Sequence, residues 1–301
     1  MKLFSYSGKL KPSAPFDFSK SLEFLSDFMP TKSEQMVANG SLTKAVEIKG
    51  NTIAFRITDE GTIEKPGLCF TAYSQSEFNK ENERAVDDRI SFYLSLQDDL
   101  KEFYQIAQQD KAFKPVIQKL YGHKQVKFLT PFENACWAIL GQRLPLTVSH
   151  SMKEKIVQKF GGHINVDGID YYSFPDPTSL PSECEKLLEI IHNDRKAEYL
   201  AATVKAFSSV DEKWLRNAPF DEVYSWLTEI KGIGPWSAHF VLIRGLGRME
   251  RISTVDGELA LAVAEIYKGD KEPLSEKEVI NIAEKYGKWQ GYWAYYCRIY
   301  A

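Results

Sequence analysis

The stretch KGIGPWSAHF, residues 231–240, decides the fold of this chain. An apolar helical pattern ends just before it, and an apolar run follows it. Gly232 and Gly234 can adopt positive φ angles and let another backbone approach closely, and Pro235 suits the first turn of a helix. The stretch therefore predicts a helix–hairpin–helix within about residues 222–245.

A hairpin of this kind is suited to hold a phosphate. The N–H groups at the turn and at the start of the second helix have no partner within the helix and can bind an anion. We therefore expect contacts to a DNA backbone from the turn, through Lys231, Gly232, Ile233, Gly234 and Ser237. The alternative is a plain helix–helix connector, because a lone pair of glycines is a weak motif.

The carboxylate of Asp256 follows Trp236 by 20 residues, in the stretch STVDGELA. Aspartate is a favoured residue immediately before a helix, and the start of a helix stabilises a negative charge. We therefore expect Asp256 to cap a helix and to stay ionised at neutral pH. An anion fixed in place also stabilises a cationic transition state. Asp256 can therefore be both a helix cap and a catalytic residue.

Composition limits the classes of function. The chain has 301 residues and a net charge of −3, which argues against a broad basic face on DNA but not against local contacts. No apolar run of about 18 residues predicts a membrane span. The four cysteines and five histidines lack metal-ligand spacing, so we expect free thiols, no iron–sulfur cluster and no zinc. His239 is expected on the solvated surface.

Two parts of the chain carry different patterns. Residues 1–88 contain a helical pattern and short β-branched runs that glycine-containing turns separate, which predicts a small α+β domain. Residues 89–301 carry successive helical patterns and predict a mainly α-helical domain.

Together these features resemble the helix–hairpin–helix superfamily of base-excision DNA glycosylases. The resemblance is strongest to the 3-methyladenine DNA glycosylase II branch, which has a glycine hairpin, a small–Ala pair and an aspartate about twenty residues on. Two further blocks agree, PFENACWAILGQRL (131–144) and KWQGYWAYY (288–296). The resemblance implies an α+β N-terminal domain followed by a helical glycosylase domain with a central cleft.

The position two residues after the second hairpin glycine distinguishes the chemistries of this superfamily. Bifunctional members carry a nucleophilic lysine there, whereas this chain has Trp236, and Lys231 lies before the turn. The resemblance thus implies a monofunctional enzyme that excises alkylated purines of the 3-methyladenine type from damaged duplex DNA, with Asp256 as the catalytic residue. The alternatives are a glycosylase for another lesion, such as 8-oxoguanine, and a non-catalytic protein that binds DNA damage.

Aromatic residues are expected to line the base pocket. Trp236 and Phe240 lie one turn apart on the second hairpin helix and can face the same cleft, although core packing is an equal alternative for Phe240. Tyr295 and Tyr296 could supply a further aromatic face. Arg298 stands where the branch has a pocket tryptophan. Either the local alignment of this chain with the branch is shifted, or the pocket differs and prefers a different lesion.

The resemblance also implies a side chain that fills the gap left by a flipped base. The family takes it from the loop after Gly-Gln, which here is Gln142, Arg143 and Leu144. Either Arg143 or Leu144 could be this wedge.

A monovalent cation is the only metal that the resemblance implies. Na⁺ or K⁺ would bind the backbone carbonyls of Thr228, Ile230 and Gly232 and bridge the hairpin to a DNA phosphate. No cofactor is expected for catalysis. We further expect a monomer without a membrane partner, in the cytoplasm, or associated with the nucleoid if the protein is prokaryotic.

Overall fold

The computed structural model describes residues 2–252 and 255–301, and it has an N-terminal sheet region followed by a mainly helical region. The predicted fold class is confirmed. A five-stranded antiparallel sheet has the strand order β1-β5-β4-β3-β2. Its strands are β1 (Phe4–Leu10), β2 (Gln35–Ala38), β3 (Ser41–Ile48), β4 (Asn51–Asp59) and β5 (Leu68–Ser74). Helices α1 (Phe18–Asp27) and α2 (Lys80–Tyr93) pack against the sheet.

The helical region has two hydrophobic cores. The hairpin lobe contains α5 (Pro131–Leu140), α6 (Leu146–Phe160), α7 (Cys184–Ile191), α8 (Asp194–Phe207), α9 (Glu212–Asn217), α10 (Phe220–Glu229) and α11 (Pro235–Phe240). The terminal lobe contains α3 (Lys101–Gln109), α4 (Lys114–Lys119), α12 (Gly257–Lys268), α13 (Glu276–Ala283) and α14 (Gln290–Tyr300). No helix within residues 2–252 or 255–301 is long and apolar enough to cross a membrane.

The sheet region extends beyond the predicted division at residue 88. Helix α2 runs through that position, and Leu94, Leu96, Val126 and Leu129 pack in the core of the sheet region. The core thus draws on chain that the sequence pattern assigned to the helical domain, because the hydrophobic pattern of a helix does not show which neighbour will cover it.

A short hairpin within the helical region also covers the sheet. Strands β6 (His163–Val166) and β7 (Ile169–Tyr172) pair with each other, and their apolar residues pack on Ala45 and Ala54. Asp167 and Gly168 form the turn with φ angles of 56° and 83°, a conformation that Asp-Gly favours. The hairpin was not predicted, because four-residue strands carry little periodicity.

A buried ion cluster around Lys153 and a half-buried ion pair of Arg89 connect the sheet region to the hairpin lobe. The ammonium group of Lys153 in α6 is fully buried, contacts Glu34 beside β2 and lies 2.7 Å from a carboxylate oxygen of Glu133 in α5. On another face, Arg89 donates two hydrogen bonds of 2.9 Å to Glu212. Removing one partner of such a buried pair leaves an uncompensated charge, so these contacts fix how the two parts meet.

Candidate active site and hairpin

The predicted helix–hairpin–helix is present. Helix α10 ends at Glu229, α11 begins at Pro235, and α11 continues into one π-helical turn, Val241–Gly245. Gly232 has a φ angle of +96°, and an added Cβ would lie 2.3 Å from the Tyr199 ring. Gly234 is extended (φ −87°, ψ −178°), and its Cβ would point into open space. Only Gly232 therefore uses the predicted positive φ angle.

Gln142 fastens the hairpin to the end of α5. Its amide Nε2 donates to the Gly232 carbonyl at 2.7 Å and to the Ser237 hydroxyl at 3.4 Å. Ser237 and Ile233 are buried beneath the hairpin, whereas Lys231 is exposed and pairs with Glu198. The side chains of Gln142, Ser237 and Ile233 thus support the turn from inside. Hydrogen bonding and apolar packing within the protein already use these side chains, and contact of this segment with DNA stays a prediction.

A buried lysine holds the loop predicted to carry the wedge. Lys196 in α8 is 6% exposed, and burial lowers the pKa of its ammonium to about 8. It donates to three carbonyls where α5 ends, those of Ile139 (2.7 Å), Leu140 (2.9 Å) and Gln142 (3.0 Å). Beyond this anchor, Arg143 is exposed with a φ angle of +55°, and Leu144 is half-buried. Both wedge candidates therefore lie on a loop that is held from below.

The two carboxylate oxygens of Asp256 accept hydrogen bonds from different partners. Oδ1 accepts a hydrogen bond of 2.9 Å from the Leu259 N–H and caps α12, as predicted. Oδ2 accepts hydrogen bonds from Trp236 Nε1 at 3.1 Å and from Arg298 Nη2 at 2.8 Å. Burial opposes the charge of this carboxylate, but the hydrogen bonds and positive charge of Arg298, with the other two donors, lower its pKa to about 2. Asp256 is therefore ionised at neutral pH.

Asp256 and Trp236 share an inner cavity of about 250 Å³. Trp236 is 47% exposed and stacks on Phe240, with ring centroids 5.3 Å apart and planes 8° apart. Tyr295 also lines the cavity. Tyr296 does not: it is fully buried in the terminal lobe, and its hydroxyl contacts the Tyr104 hydroxyl at 3.0 Å. Adjacent residues of a helix point about 100° apart, so the two tyrosines of α14 could not both face the cavity.

No family model matches the chain, but individual proteins do. A DNA-3-methyladenine glycosylase of Bacillus subtilis is 28% identical over 213 residues, 69% of this chain and 69% of that protein. The 3-methyladenine DNA-glycosylase of Archaeoglobus fulgidus matches the structure with a TM-score of 0.79 at 25% identity, covering 97% of each chain. The chain belongs to the helix–hairpin–helix DNA glycosylase superfamily. These relatives place it in the 3-methyladenine glycosylase branch.

An enzyme named for another lesion is a more distant structural neighbour of this glycosylase. It is the 8-oxoguanine glycosylase/lyase of Clostridium acetobutylicum, in complex with double-stranded DNA containing cytosine opposite 8-oxoG. The TM-score is 0.69 at 19% identity, over 98% of this chain and 97% of that chain. At this identity the likeness shows the fold alone.

The structure decides the position of Arg298 in this glycosylase and corrects that of His239. Arg298 lies in the cavity wall, so an arginine does stand in the pocket. His239 is 8% exposed, and the prediction of a surface histidine is wrong because its side of α11 turns into the protein. Burial, followed by the charge of Arg298, lowers the pKa of His239 to about 4. The imidazole is therefore neutral at pH 7.

Three residues of the cavity were not predicted as part of the glycosylase site. Phe24 and Phe28, at the end of α1, stack with centroids 4.9 Å apart and line the cavity with Arg244. The cavity opens into a wider cleft of about 760 Å³. A lone arginine within the apolar run HFVLIRGLG was the available signal for Arg244, whereas nothing in the sequence links α1 to a hairpin some 200 residues later.

Proposed function

We propose that this protein is a monofunctional DNA glycosylase that flips alkylated purines out of damaged duplex DNA and hydrolyses the N-glycosidic bond. The observation that carries the proposal is the position of Asp256 Oδ2. This oxygen lies at the cavity beside Trp236 while Oδ1 caps the helix. A carboxylate that only capped its helix would not need a second oxygen held in a cavity between two donors.

The cavity supplies a place for a flipped base. A base inside a duplex must leave the stack before an enzyme can reach its glycosidic bond. The half-exposed ring of Trp236, backed by Phe240, gives a flat aromatic face on which a purine can stack. An alkylated purine with a positive charge is additionally attracted to such a face.

Bond cleavage then requires stabilisation of the sugar. When the bond between C1′ and the base nitrogen breaks, its electron pair leaves with the base and C1′ becomes oxocarbenium-like. The Asp256 carboxylate stabilises this positive charge. A water molecule adds to C1′ and releases its proton to solvent. Because the pKa of Asp256 is about 2, the carboxylate is a weak proton acceptor at neutral pH, and we assign it the electrostatic role.

The cavity wall favours hydrolysis over lyase chemistry. A lyase step needs an amine that attacks C1′. Among the described residues, those that line the inner cavity include arginines but no lysine, and Lys231 at the hairpin is held by Glu198. This arrangement supports a product with an abasic site and an unbroken strand.

Duplex DNA would bind across the hairpin and the loop after α5. The open space in front of Gly234 lets a phosphate approach the N–H groups at the start of α11. The Gln142 bridge holds the loop with Arg143 and Leu144 at a fixed position beside the hairpin, from which either side chain can enter the gap that the flipped base leaves. The protein would act as a monomer.

The hairpin carbonyls are compatible with a monovalent cation. The Ile230 carbonyl accepts the Ile233 N–H at 2.9 Å, and the Gly232 carbonyl accepts Gln142. Since a carbonyl oxygen has two lone pairs, each retains one for Na⁺ or K⁺, together with the carbonyl of Thr228. Such an ion would add a positive charge where the hairpin meets the DNA backbone, and it takes no part in bond cleavage.

The test is base release from a methylated duplex. We expect free 3-methyladenine and 7-methylguanine, abasic sites, and strands that break only after alkali treatment. Borohydride should trap no covalent enzyme–DNA complex, because no amine attacks the sugar. Strand cleavage with a trapped complex would contradict the monofunctional mechanism. Tight binding of the methylated duplex without release of any base would instead indicate a non-catalytic damage binder.

A further inference from the structure

The wall of the inner cavity contains a second guanidinium group besides that of Arg298, namely that of Arg244. It lies in the π-helical turn after α11 and is 8% exposed. Its Cζ atom is 5.0 Å from the ring centroid of Phe24, 5.1 Å from that of Phe28 and 5.2 Å from that of Tyr295. The three rings form an aromatic cage, and a cation of the protein itself already fills it.

Arg244 retains a hydrogen-bond donor that the protein does not use. Within the described part of the chain, its Nη2 atom has no hydrogen-bond partner and is shielded from bulk water. The hydroxyl of neighbouring Tyr295 contacts His123 Nε2 at 3.0 Å and also interacts with the Arg244 guanidinium, so this hydroxyl is shared and leaves Nη2 without an acceptor of its own. A buried N–H without an acceptor is unfavourable, so the site is most stable when an occupant of the cavity brings an acceptor.

The charges around the cavity indicate which kind of base suits it. Arg244 and Arg298 both line it, together with the carboxylates of Asp256, which pairs with Arg298, and of Glu258. His239 and His123 are neutral at pH 7, because burial lowers the pKa of each to about 4. The two guanidinium groups thus supply N–H donors to the cavity wall, while Asp256 and Glu258 balance their charge.

Such a wall distinguishes the two purines by their six position. Arginine N–H groups pair well with the O6 carbonyl of guanine, whereas adenine presents an amino group there, itself a donor. An adenine would leave the buried guanidinium unpaired, and a site built to hydrogen-bond a substrate group discriminates strongly against an analogue that lacks it.

We propose that Arg244 donates a hydrogen bond to the carbonyl oxygen of the flipped base, so that the pocket selects alkylated guanines over alkylated adenines. The proposal rests on the function proposed above and adds its substrate preference. The aromatic cage holds the guanidinium in place, and Trp236 stacks on the face of the same base.

The first test compares two bases released from one methylated duplex. We expect the Arg244→Met variant to lower the ratio of 7-methylguanine to 3-methyladenine release by about tenfold relative to the natural protein. Arg248→Met is the matched control, because Arg248 follows the same turn but pairs with Glu250 outside the cavity. An unchanged ratio in Arg244→Met would overturn the proposal. A natural protein that releases neither base would instead refute the proposed function.

The second test needs neither a variant nor activity. Hypoxanthine and adenine differ at the six position, and binding of either free base beside Trp236 should quench tryptophan fluorescence. We expect hypoxanthine to bind the natural protein about tenfold more tightly than adenine. Equal binding, or tighter binding of adenine, would contradict the role of Arg244 even if the enzyme excises methylated bases.

Discussion

Arg298 and Asp256 form an ion pair of 2.8 Å in the wall of the inner cavity. Nη2 of Arg298 donates to Oδ2 of Asp256, the same oxygen that accepts the Trp236 indole N–H. Nη1 of Arg298 lies 3.6 Å from a carboxylate oxygen of exposed Glu258. One guanidinium thus keeps the proposed catalytic carboxylate ionised and oriented. The consequences of this pair, and of the contacts that hold the hairpin and loop, can be measured separately.

Removing the arginine should change the pH dependence of base release. Without Arg298 the burial of Asp256 is less well compensated, so its pKa rises. We expect the rate of Arg298→Met to fall as the pH is lowered from 8 to 4.5, where the natural protein keeps an ionised carboxylate. Arg298→Lys keeps a positive charge and should fall less. Superimposable pH profiles for the natural protein and Arg298→Met would contradict this assignment.

The two hairpin glycines should respond differently to alanine. Gly232→Ala places a Cβ against Tyr199 at a positive φ angle, so we expect a loss of about 1–3 kcal/mol in the free energy of unfolding. Gly234→Ala meets open space and should change stability by less than about 0.5 kcal/mol, yet weaken binding of an abasic-site duplex. Urea unfolding and fluorescence anisotropy measure the two effects. Unchanged DNA affinity in Gly234→Ala would argue against phosphate binding at this turn.

The Lys196 anchor should matter most for duplex substrates. Lys196→Met leaves three carbonyls without their donor, and we expect a loss of about 2–3 kcal/mol in stability. A loosened loop should also slow base flipping, which is easiest when the strand is already single. Single-turnover release should therefore fall more for duplex than for single-stranded methylated DNA. An equal fall on both substrates would indicate a purely structural role.

Two buried histidines should make the protein sensitive to acid. His123 and His239 have pKa values lowered to about 4, whereas in the unfolded chain each takes up a proton near pH 6.5. The unfolded state therefore binds more protons between pH 6.5 and 4, and stability falls across this window, by up to about 3 kcal/mol for each histidine. Urea unfolding of His123→Gln should show a shallower fall than that of the control His163→Gln, which replaces an exposed histidine.

Local sequence signals were enough to predict the hairpin and the position of the carboxylate. Gly232, Pro235 and Asp256 each act through the backbone of their own segment, as a turn, a helix start and a helix cap. Trp236 follows from these, since its place on α11 is set by the hairpin. Each of these features is formed by residues that are neighbours in the sequence, so the sequence alone is enough to predict it.

Features that depend on distant packing could not be predicted. Phe24 on α1 and Arg244 after α11 meet only because the sheet region folds back over the helical cleft. Histidine is a polar residue that the sequence pattern predicts at the surface, and the way α11 is placed in the fold buries His239. Tyr295 and Tyr296 are equivalent in the sequence pattern, and the orientation of α14 decides which one reaches the cavity.

The most direct test is base release from methylated duplex DNA by the natural protein and by Asp256→Asn. Asparagine is as good a helix cap as aspartate, so the variant should fold and bind an abasic-site duplex as the natural protein does. Without the negative charge, we expect release of methylated bases to fall by about 10²–10³-fold. A variant that releases bases at the natural rate would show that Asp256 is a helix cap alone and would contradict the mechanism.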